Sequence, residues 1–97
     1  MKQERRITLN AKRMATRAEA HAHIAKRLRL PDWYGGNLDA LNDCLGEIGT
    51  PTRLVLHNAE RLENLPDGYG VRLLGVFERG AEHNPNLRFE TRERRLR

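Results

Sequence analysis

A short apolar run near the middle of the chain constrains the fold more than any other feature. The segment Arg53-Leu54-Val55-Leu56 follows the breakers Gly49 and Pro51, and its three apolar residues are consecutive rather than alternating. Consecutive apolar residues are typical of a strand that is buried on both faces. The run therefore predicts the central strand of a sheet.

Two other segments alternate between polar and apolar residues. They are Arg6-Ile7-Thr8-Leu9 near the N-terminus and Leu87-Arg88-Phe89-Glu90-Thr91 after the turn Asn84-Pro85-Asn86. Alternation predicts strands with one buried face. Because helical segments separate the three strands, we expect parallel pairing through right-handed crossovers. The predicted fold class is α/β: a single domain over residues 1–97, in which a three-stranded parallel sheet packs with three to four helices.

The helical segments carry start signals and apolar stripes. Thr16-Arg17-Ala18-Glu19 is a capping-box pattern, so a first helix is predicted to run to about Leu28. Its predicted apolar stripe is Ala18, His21, Ile24, Ala25 and Leu28. We expect His21 to be a buried, hydrogen-bonded core residue and His23 to be solvated. After a short helical turn near residues 58–62, a last helix from about Tyr69 to Glu82 places Leu73, Leu74, Phe77 and Ala81 on one face.

The stretch from Leu30 to Gly46 says most about function. Asn37 is a favourable N-cap that follows Gly35 and Gly36, and a helix is predicted from about Leu38 to Ile48. Its periodicity puts apolar side chains on one side, namely Ala40, Leu41, Cys44, Leu45 and Ile48. The other side collects Asp39, Asn42, Asp43 and Gly46. Gly46 would suit the close approach of another backbone.

The polar side of this helix is unusual for a merely solvated surface. Asp39 and Asp43 are spaced i,i+4, and no lysine or arginine occurs between residues 31 and 52. Like charges at this spacing destabilise a helix by roughly 0.2–0.5 kcal/mol, which a cationic partner would offset. Trp33 and Tyr34, just before the helix, would supply rigid aromatic area of the kind that anchors interfaces.

The charge of the chain is unevenly distributed. The formal net charge is +5, with nine basic and two acidic side chains in residues 1–30 but two basic and seven acidic ones in residues 31–70. A basic chain ordinarily suggests a nucleic-acid partner, yet the acidic block gives the helix just described a negative field. Residues 92–97 are predicted to be a frayed basic tail.

Compartment follows from what the N-terminus and the cysteine indicate. Residues 1–6 lead into no apolar segment of the signal-peptide kind, and no run is long enough to span a membrane. A single cysteine on an apolar helix face suits a reducing compartment. We therefore expect a cytoplasmic protein without a membrane partner.

The sequence contains no recognised pattern of catalytic or metal-ligating residues. The four histidines show no paired ligand spacing with cysteine or carboxylate, and Cys44 is expected to be structural because it lies on the buried helix side. Asp39 and Asp43 would stand on a convex helix face rather than in a pocket. The residues alone therefore predict no enzyme, no cofactor and no metal, and leave open a solvated acidic face or a protein-binding face.

Four short motifs in this stretch recur at the same spacing in a known family. They are Leu30-Pro31, Tyr34-Gly35, Asn37-Leu38-Asp39-Ala40-Leu41 and Asp43-Cys44-Leu45. In these motifs the chain resembles the barstar family of intracellular ribonuclease inhibitors. A weaker similarity in length, element order and a phenylalanine-centred last helix extends over nearly the whole chain. The resemblance implies a parallel sheet in sequential strand order and an inhibitor that enters the active-site cleft of a cationic ribonuclease.

The resemblance also implies roles for individual residues. Asp43 corresponds to a carboxylate that takes the place of the substrate phosphate, and Asp39 to a second interface carboxylate. The implied interface comprises Trp33, Tyr34, Gly35, Asn37, Leu38, Asp39, Asn42, Asp43, Gly46 and Glu47. The implied partner is an extracellular-type ribonuclease, bound one to one.

The chain departs from the family pattern at several interface positions. Trp33 stands where the family has a tyrosine, Asn42 replaces a tryptophan and Gly46 a threonine. Arg79 stands where the family has a glutamate, with Glu78 beside it. These departures bear on the identity of the target more than on the mode of binding.

Two other functions stay open at this point. A barstar-like fold could serve as an interaction module for a partner that is not a nuclease, since a fold does not define a function. Basic side chains could instead bind nucleic acid, although solubilising charges are the preferred interpretation. The candidates are Lys12, Arg13, Arg17, Lys26, Arg27 and Arg29, with the tail from Arg92 to Arg97.

Overall fold

The three predicted strands form one parallel sheet. In a computed structural model that describes residues 3–93, β1 (Arg5–Asn10) pairs with β2 (Thr52–His57), and β2 pairs with β3 (Leu87–Arg92). The strand order is sequential, with β2 in the centre. Three consecutive residues of β2, at positions 54–56, are fully buried. The predicted fold class and the central place of the apolar run are both confirmed.

Within the described residues, three α-helices and three short 3-10 segments connect the strands. The α-helices are α1 (Arg17–Leu28), α2 (Leu38–Gly46) and α3 (Tyr69–His83), and the 3-10 segments are Ala11–Arg13, Ala59–Asn64 and Pro66–Gly68. The predicted capping box starts α1, because Thr16 Oγ1 accepts a hydrogen bond from the Glu19 backbone N–H at 3.1 Å. The end of α2 was predicted wrongly, since the helix stops at Gly46, before Ile48.

The buried side of α1 differs from the prediction at two positions. Ala18 is exposed and Ala20 is buried instead, because the buried stripe follows the i,i+4 row that includes Ile24. His23 is partly buried rather than solvated, and its Nε2 accepts a hydrogen bond from the Asn10 backbone N–H at 3.0 Å. Burial, together with nearby cations, lowers the pKa of His23.

The two faces of the sheet differ in character. One face carries the apolar side chains of the core, namely Ile7, Leu9, Leu54, Leu56, Leu87 and Phe89. The register places Arg6, Arg53 and Arg88 in one row on the other face. There Arg53 donates to Glu90 Oε1 from Nε at 2.7 Å and from Nη2 at 2.5 Å. Right-handed crossovers between strands in sequential order put α1, α2 and α3 on the apolar side.

The C-terminal end of the described chain belongs to the sheet. Arg92 was predicted wrongly as the start of a frayed tail, since it is the last residue of β3 and its Nη2 donates to Glu90 Oε2 at 2.7 Å. Residues 94–97, most of the predicted basic tail, lie outside the described residues. None of the helices in residues 3–93 combines the length and the apolar character that crossing a membrane requires.

Candidate partner-binding site

The loop between α1 and α2 is shaped by local backbone requirements. Arg29 adopts a left-handed conformation that ends α1, and the Tyr34 N–H donates to the Pro31 carbonyl at 2.9 Å. Gly36 has φ +64°, a backbone conformation that residues with a side chain rarely adopt. Asn37 then caps α2, since its Oδ1 accepts from the Ala40 N–H at 2.8 Å. The predicted start of α2 is confirmed.

The faces of α2 separate as the periodicity predicts. Leu41, Cys44 and Leu45 are buried against the rest of the protein. The exposed residues among those assigned to the interface are Trp33, Gly35, Asn37, Asp39, Asn42, Asp43, Gly46 and Glu47, whereas Tyr34 and Leu38 are half-buried. The loop and α2 thus bring the ten residues onto one continuous stretch of chain whose outer side is open to solvent.

The two carboxylates of α2 form no ion pair within the described part of the protein. None of the ion pairs in residues 3–93 includes Asp39 or Asp43, and the last turn of α2 has no basic residue. No ion pair among these residues therefore offsets the repulsion between the like charges at i,i+4 spacing. Such an arrangement suits an external cationic group.

The two aromatic residues of the loop lie in different environments. Trp33 is 73% exposed, which is exceptional for a side chain of this size. Tyr34 points inward, and its hydroxyl lies 2.6 Å from His21 Nδ1. Burial, with smaller contributions from Cys44 and Tyr69, raises the pKa of the Tyr34 hydroxyl. Trp33 is thus the aromatic side chain of the loop that is open to solvent.

A buried histidine joins this loop to the last helix. His21, which is 4% exposed, lies 2.6 Å from the Tyr34 hydroxyl through Nδ1 and 2.6 Å from the Tyr69 hydroxyl through Nε2. Burial, and then the charge of Arg17, lower the pKa of His21. A neutral imidazole donates through one nitrogen and accepts through the other, so one tyrosine donates and the other accepts. The prediction of a hydrogen-bonded core histidine is confirmed.

Asn84, which the sequence analysis assigned only to a turn, anchors the far end of α2. Its Nδ2 donates to the Leu45 carbonyl at 2.8 Å and to the Ile48 carbonyl at 3.0 Å, and the residue is 7% exposed. The Leu45 carbonyl lies in the last turn of α2 and otherwise accepts from the Ile48 N–H at 3.4 Å, so Asn84 supplies a shorter hydrogen bond at the helix end. The anchor ends α2 at Gly46 and explains why the predicted helix was too long. A buried asparagine beside a turn is a weak signal that sequence alone does not connect to Leu45, 39 residues earlier in the chain.

Close packing between α2 and α3 occurs at Gly80. Around Gly46 a Cβ would meet nothing within 4 Å, so no other part of the described chain approaches this glycine. At Gly80 of α3 a Cβ would lie 3.1 Å from Leu45 Cδ1 and 3.3 Å from Leu45 Cβ. The small residue that lets the two helices approach each other is thus Gly80 of α3. Gly46 lies on the exposed side of α2.

A groove of about 570 Å³ separates the exposed sides of α2 and α3. Asp39 and Asn42 line one wall, and Arg72, Glu78 and Arg79 line the other. Val71, which is 74% exposed, lies at its edge. The surface next to the two carboxylates therefore carries charges of both signs.

A small apolar hollow lies on the other flank of the loop. It has a volume of about 150 Å³ and is lined by Leu30, Pro31, Trp33, Cys44, Glu47 and Ile48. Burial raises the pKa of the Cys44 thiol, with the carboxylates of Glu47 and Asp43 adding to the effect. A raised pKa keeps the thiol protonated and unreactive. Within residues 3–93, no cluster of three or more His, Cys, Asp or Glu side chains could hold a metal ion.

Fold and site together define a small α/β protein that presents an acidic helix and an exposed tryptophan. The model of one protein family, described as "Barstar (barnase inhibitor)", matches residues 4–95. A Bacillus subtilis (strain 168) protein named "Putative ribonuclease inhibitor YrdF" is 34% identical over 79 residues, which cover 80% of this chain and 87% of that protein. The chain belongs to the barstar family.

Proposed function

We propose that this protein inhibits a ribonuclease by placing the loop and α2 in the active-site cleft of the enzyme. The observation that carries the proposal is the pair Asp39 and Asp43, exposed on one helix face without an ion pair in residues 3–93. Family membership and the name of the B. subtilis relative support it. The protein acts as a binder and not as an enzyme.

Asp43 takes the place of a substrate phosphate in this mechanism. It lies in the middle of α2, where it can project into a cleft that the helix enters sideways. Guanidinium groups that bind a desolvated carboxylate form strong and directional hydrogen bonds. A ribonuclease active site holds such cations because its substrate is a phosphodiester. Asp39, one helical turn earlier, extends the negative surface toward the rim.

The biological setting follows from this mechanism. An inhibitor of an extracellular-type ribonuclease serves as a cytoplasmic immunity protein, which binds the enzyme one to one before export. The cations at Arg72 and Arg79, which line the groove next to Asp39, make the binding surface less acidic. The target accordingly carries an acidic group opposite them, in addition to its phosphate-binding cations.

The test is a titration of small microbial ribonucleases with the wild type and with Asp43→Ala. Truncating one partner of a buried charge pair costs about 2–5 kcal/mol, so the variant should inhibit at least about 30-fold more weakly. Glu63→Ala is the matched control, since it removes one exposed carboxylate from a 3-10 segment outside the site. Inhibition should also weaken with added salt.

The outcomes separate the proposal from its alternative. Stoichiometric inhibition that Asp43→Ala loses and Glu63→Ala keeps supports the phosphate-mimic mechanism. Equal inhibition by all three proteins contradicts it. If the wild type inhibits no ribonuclease of the panel and instead captures a protein without nuclease activity, the fold serves as an interaction module for that partner.

A further inference from the structure

A second charged surface, opposite in sign to the acidic side of α2, lies between the start of β1 and the end of α1. A cleft of about 440 Å³ is lined by Arg5, Arg6 and Ile7 of β1 and by Lys26, Arg27 and Arg29 at the end of α1. We call it the basic cleft. It shares no lining residue with the interface proposed above. Five of its six lining residues are cationic, and none is acidic.

The cations of the basic cleft converge from two elements. The C-terminal end of a helix favours basic residues because the helix dipole is negative there, which accounts for Lys26 and Arg27 in the last turn of α1. The dipole does not account for Arg5 and Arg6, which belong to the first residues of the edge strand β1. Their approach to the helix end brings like charges together in the folded state only.

Within residues 3–93, none of these five cations forms an ion pair. The ion pairs there involve Arg53, Arg88 and Arg92 instead. Two cleft residues are held by hydrogen bonds: Arg5 Nη2 donates to Thr52 Oγ1 at 3.1 Å, and Arg27 Nε donates to the Thr8 carbonyl at 2.9 Å. Both guanidinium groups are thereby fixed in place, and each keeps further N–H donors.

The remaining three cations, Arg6, Lys26 and Arg29, are exposed, and no hydrogen bond within residues 3–93 occupies their side chains. We propose that the basic cleft binds the phosphate backbone of a polynucleotide, with the two fixed arginines as positioning donors and these three as mobile contacts. The lining contains no aromatic ring on which a base could stack, and its five cations suit contacts to phosphate oxygens.

The inference does not rest on the proposed inhibition of a ribonuclease. It also refines the sequence-based interpretation, in which the basic residues of the first helix were solubilising charges. Lys12 and Arg13 lie in the 3-10 segment that follows the other end of β1. Only the C-terminal cations of α1 join those of β1 in the cleft.

The experiment is fluorescence anisotropy with a labelled oligouridylate of about 12 nucleotides, and with duplex DNA of the same length. Binding is measured between about 50 and 200 mM KCl, because each neutralised phosphate contributes about −0.7 to the salt slope of a single strand. Five contacts give a slope of about −3.5. The triple variant Arg6→Gln, Lys26→Gln and Arg29→Asn should reduce it to about −1.4. Asparagine is chosen for the last position because it tolerates the left-handed backbone found there.

A matched control removes three charges elsewhere. Lys12→Gln, Arg13→Gln and Arg61→Gln lie in 3-10 segments that follow β1 and β2, outside the basic cleft. The control should keep the wild-type slope, and Asp43→Ala should bind the oligonucleotides as the wild type does. Equal losses in the two triple variants would overturn the proposal, since only net charge would then matter. An unchanged slope in the cleft variant, or no binding by the wild type at about 50 mM KCl, would also overturn it.

Discussion

Asn84 offers a sharp test of how the structure positions α2. Its side chain makes three hydrogen bonds, two from Nδ2 to the carbonyls of Leu45 and Ile48 and one from the Asn86 N–H to Oδ1 at 2.9 Å. Each is worth about 0.5–1.5 kcal/mol net. Asn84→Ala should therefore lower the free energy of unfolding by about 2–4 kcal/mol, a large part of the 5–15 kcal/mol typical of a domain.

Asn84→Asp separates hydrogen bonding from side-chain size. The carboxylate keeps the acceptor for Asn86 but loses both donors and faces two carbonyl oxygens from a site that is 7% exposed. An uncompensated buried charge costs about 3–5 kcal/mol, so at neutral pH Asn84→Asp should be less stable than Asn84→Ala. Burial raises the pKa of the introduced carboxyl above about 3.9 in the folded protein.

The pH dependence of this variant has a defined sign. The folded state retains the proton to higher pH than the unfolded chain does, so the extra cost shrinks as the pH falls through the raised pKa. The protonated carboxyl can also donate one hydrogen bond. The assay is urea unfolding followed by circular dichroism at neutral and mildly acid pH, with the wild type and Asn84→Ala as references. A cost of Asn84→Asp that is smaller than that of Asn84→Ala at neutral pH, or that does not change with pH, would refute the reasoning.

Three further predictions concern the core, the buried histidine and the loop. A Cβ at Gly70 would overlap the Leu62 carbonyl, so Gly70→Ala should lower the free energy of unfolding by about 1–3 kcal/mol. Gly46→Ala, where the Cβ would meet open space, should raise it by up to about 1 kcal/mol. Urea unfolding of the two variants measures both changes. Because the pKa of His21 lies below its usual 6.5 in the folded state, the contribution of His21 to the free energy of unfolding should be constant above about pH 7 and fall as the pH drops through 6.5. His21→Gln should show a smaller fall, and an unchanged profile would exclude this residue as a cause. Trp33→Ala should weaken binding to the proposed target ribonuclease at least about 10-fold, as titration calorimetry can measure. The same change should alter the free energy of unfolding by less than about 0.5 kcal/mol, as urea unfolding can measure.

Secondary structure and the faces of its elements were readable from short-range patterns. The Asn37 cap, the capping box at Thr16 and the apolar run of β2 each depend on residues within a few positions of one another. Such signals act through local backbone geometry and side-chain periodicity, so they are present in the sequence itself. The motifs of the loop and α2 likewise pointed to the barstar family, and the match of the family model over residues 4–95 confirms this.

The tertiary structure alone decided the features that depend on distant parts of the chain. The end of α2 depends on Asn84, 39 residues after Leu45, and the partners of His21 include Tyr69, 48 residues away. Neither separation leaves a pattern in the sequence, because a single contact between remote residues has no period. The basic cleft arises in the same way, since only folding brings the start of β1 to the end of α1. Local order was thus determined by the sequence directly, whereas the placement of charges and anchors around α2 and the cleft required the packed chain.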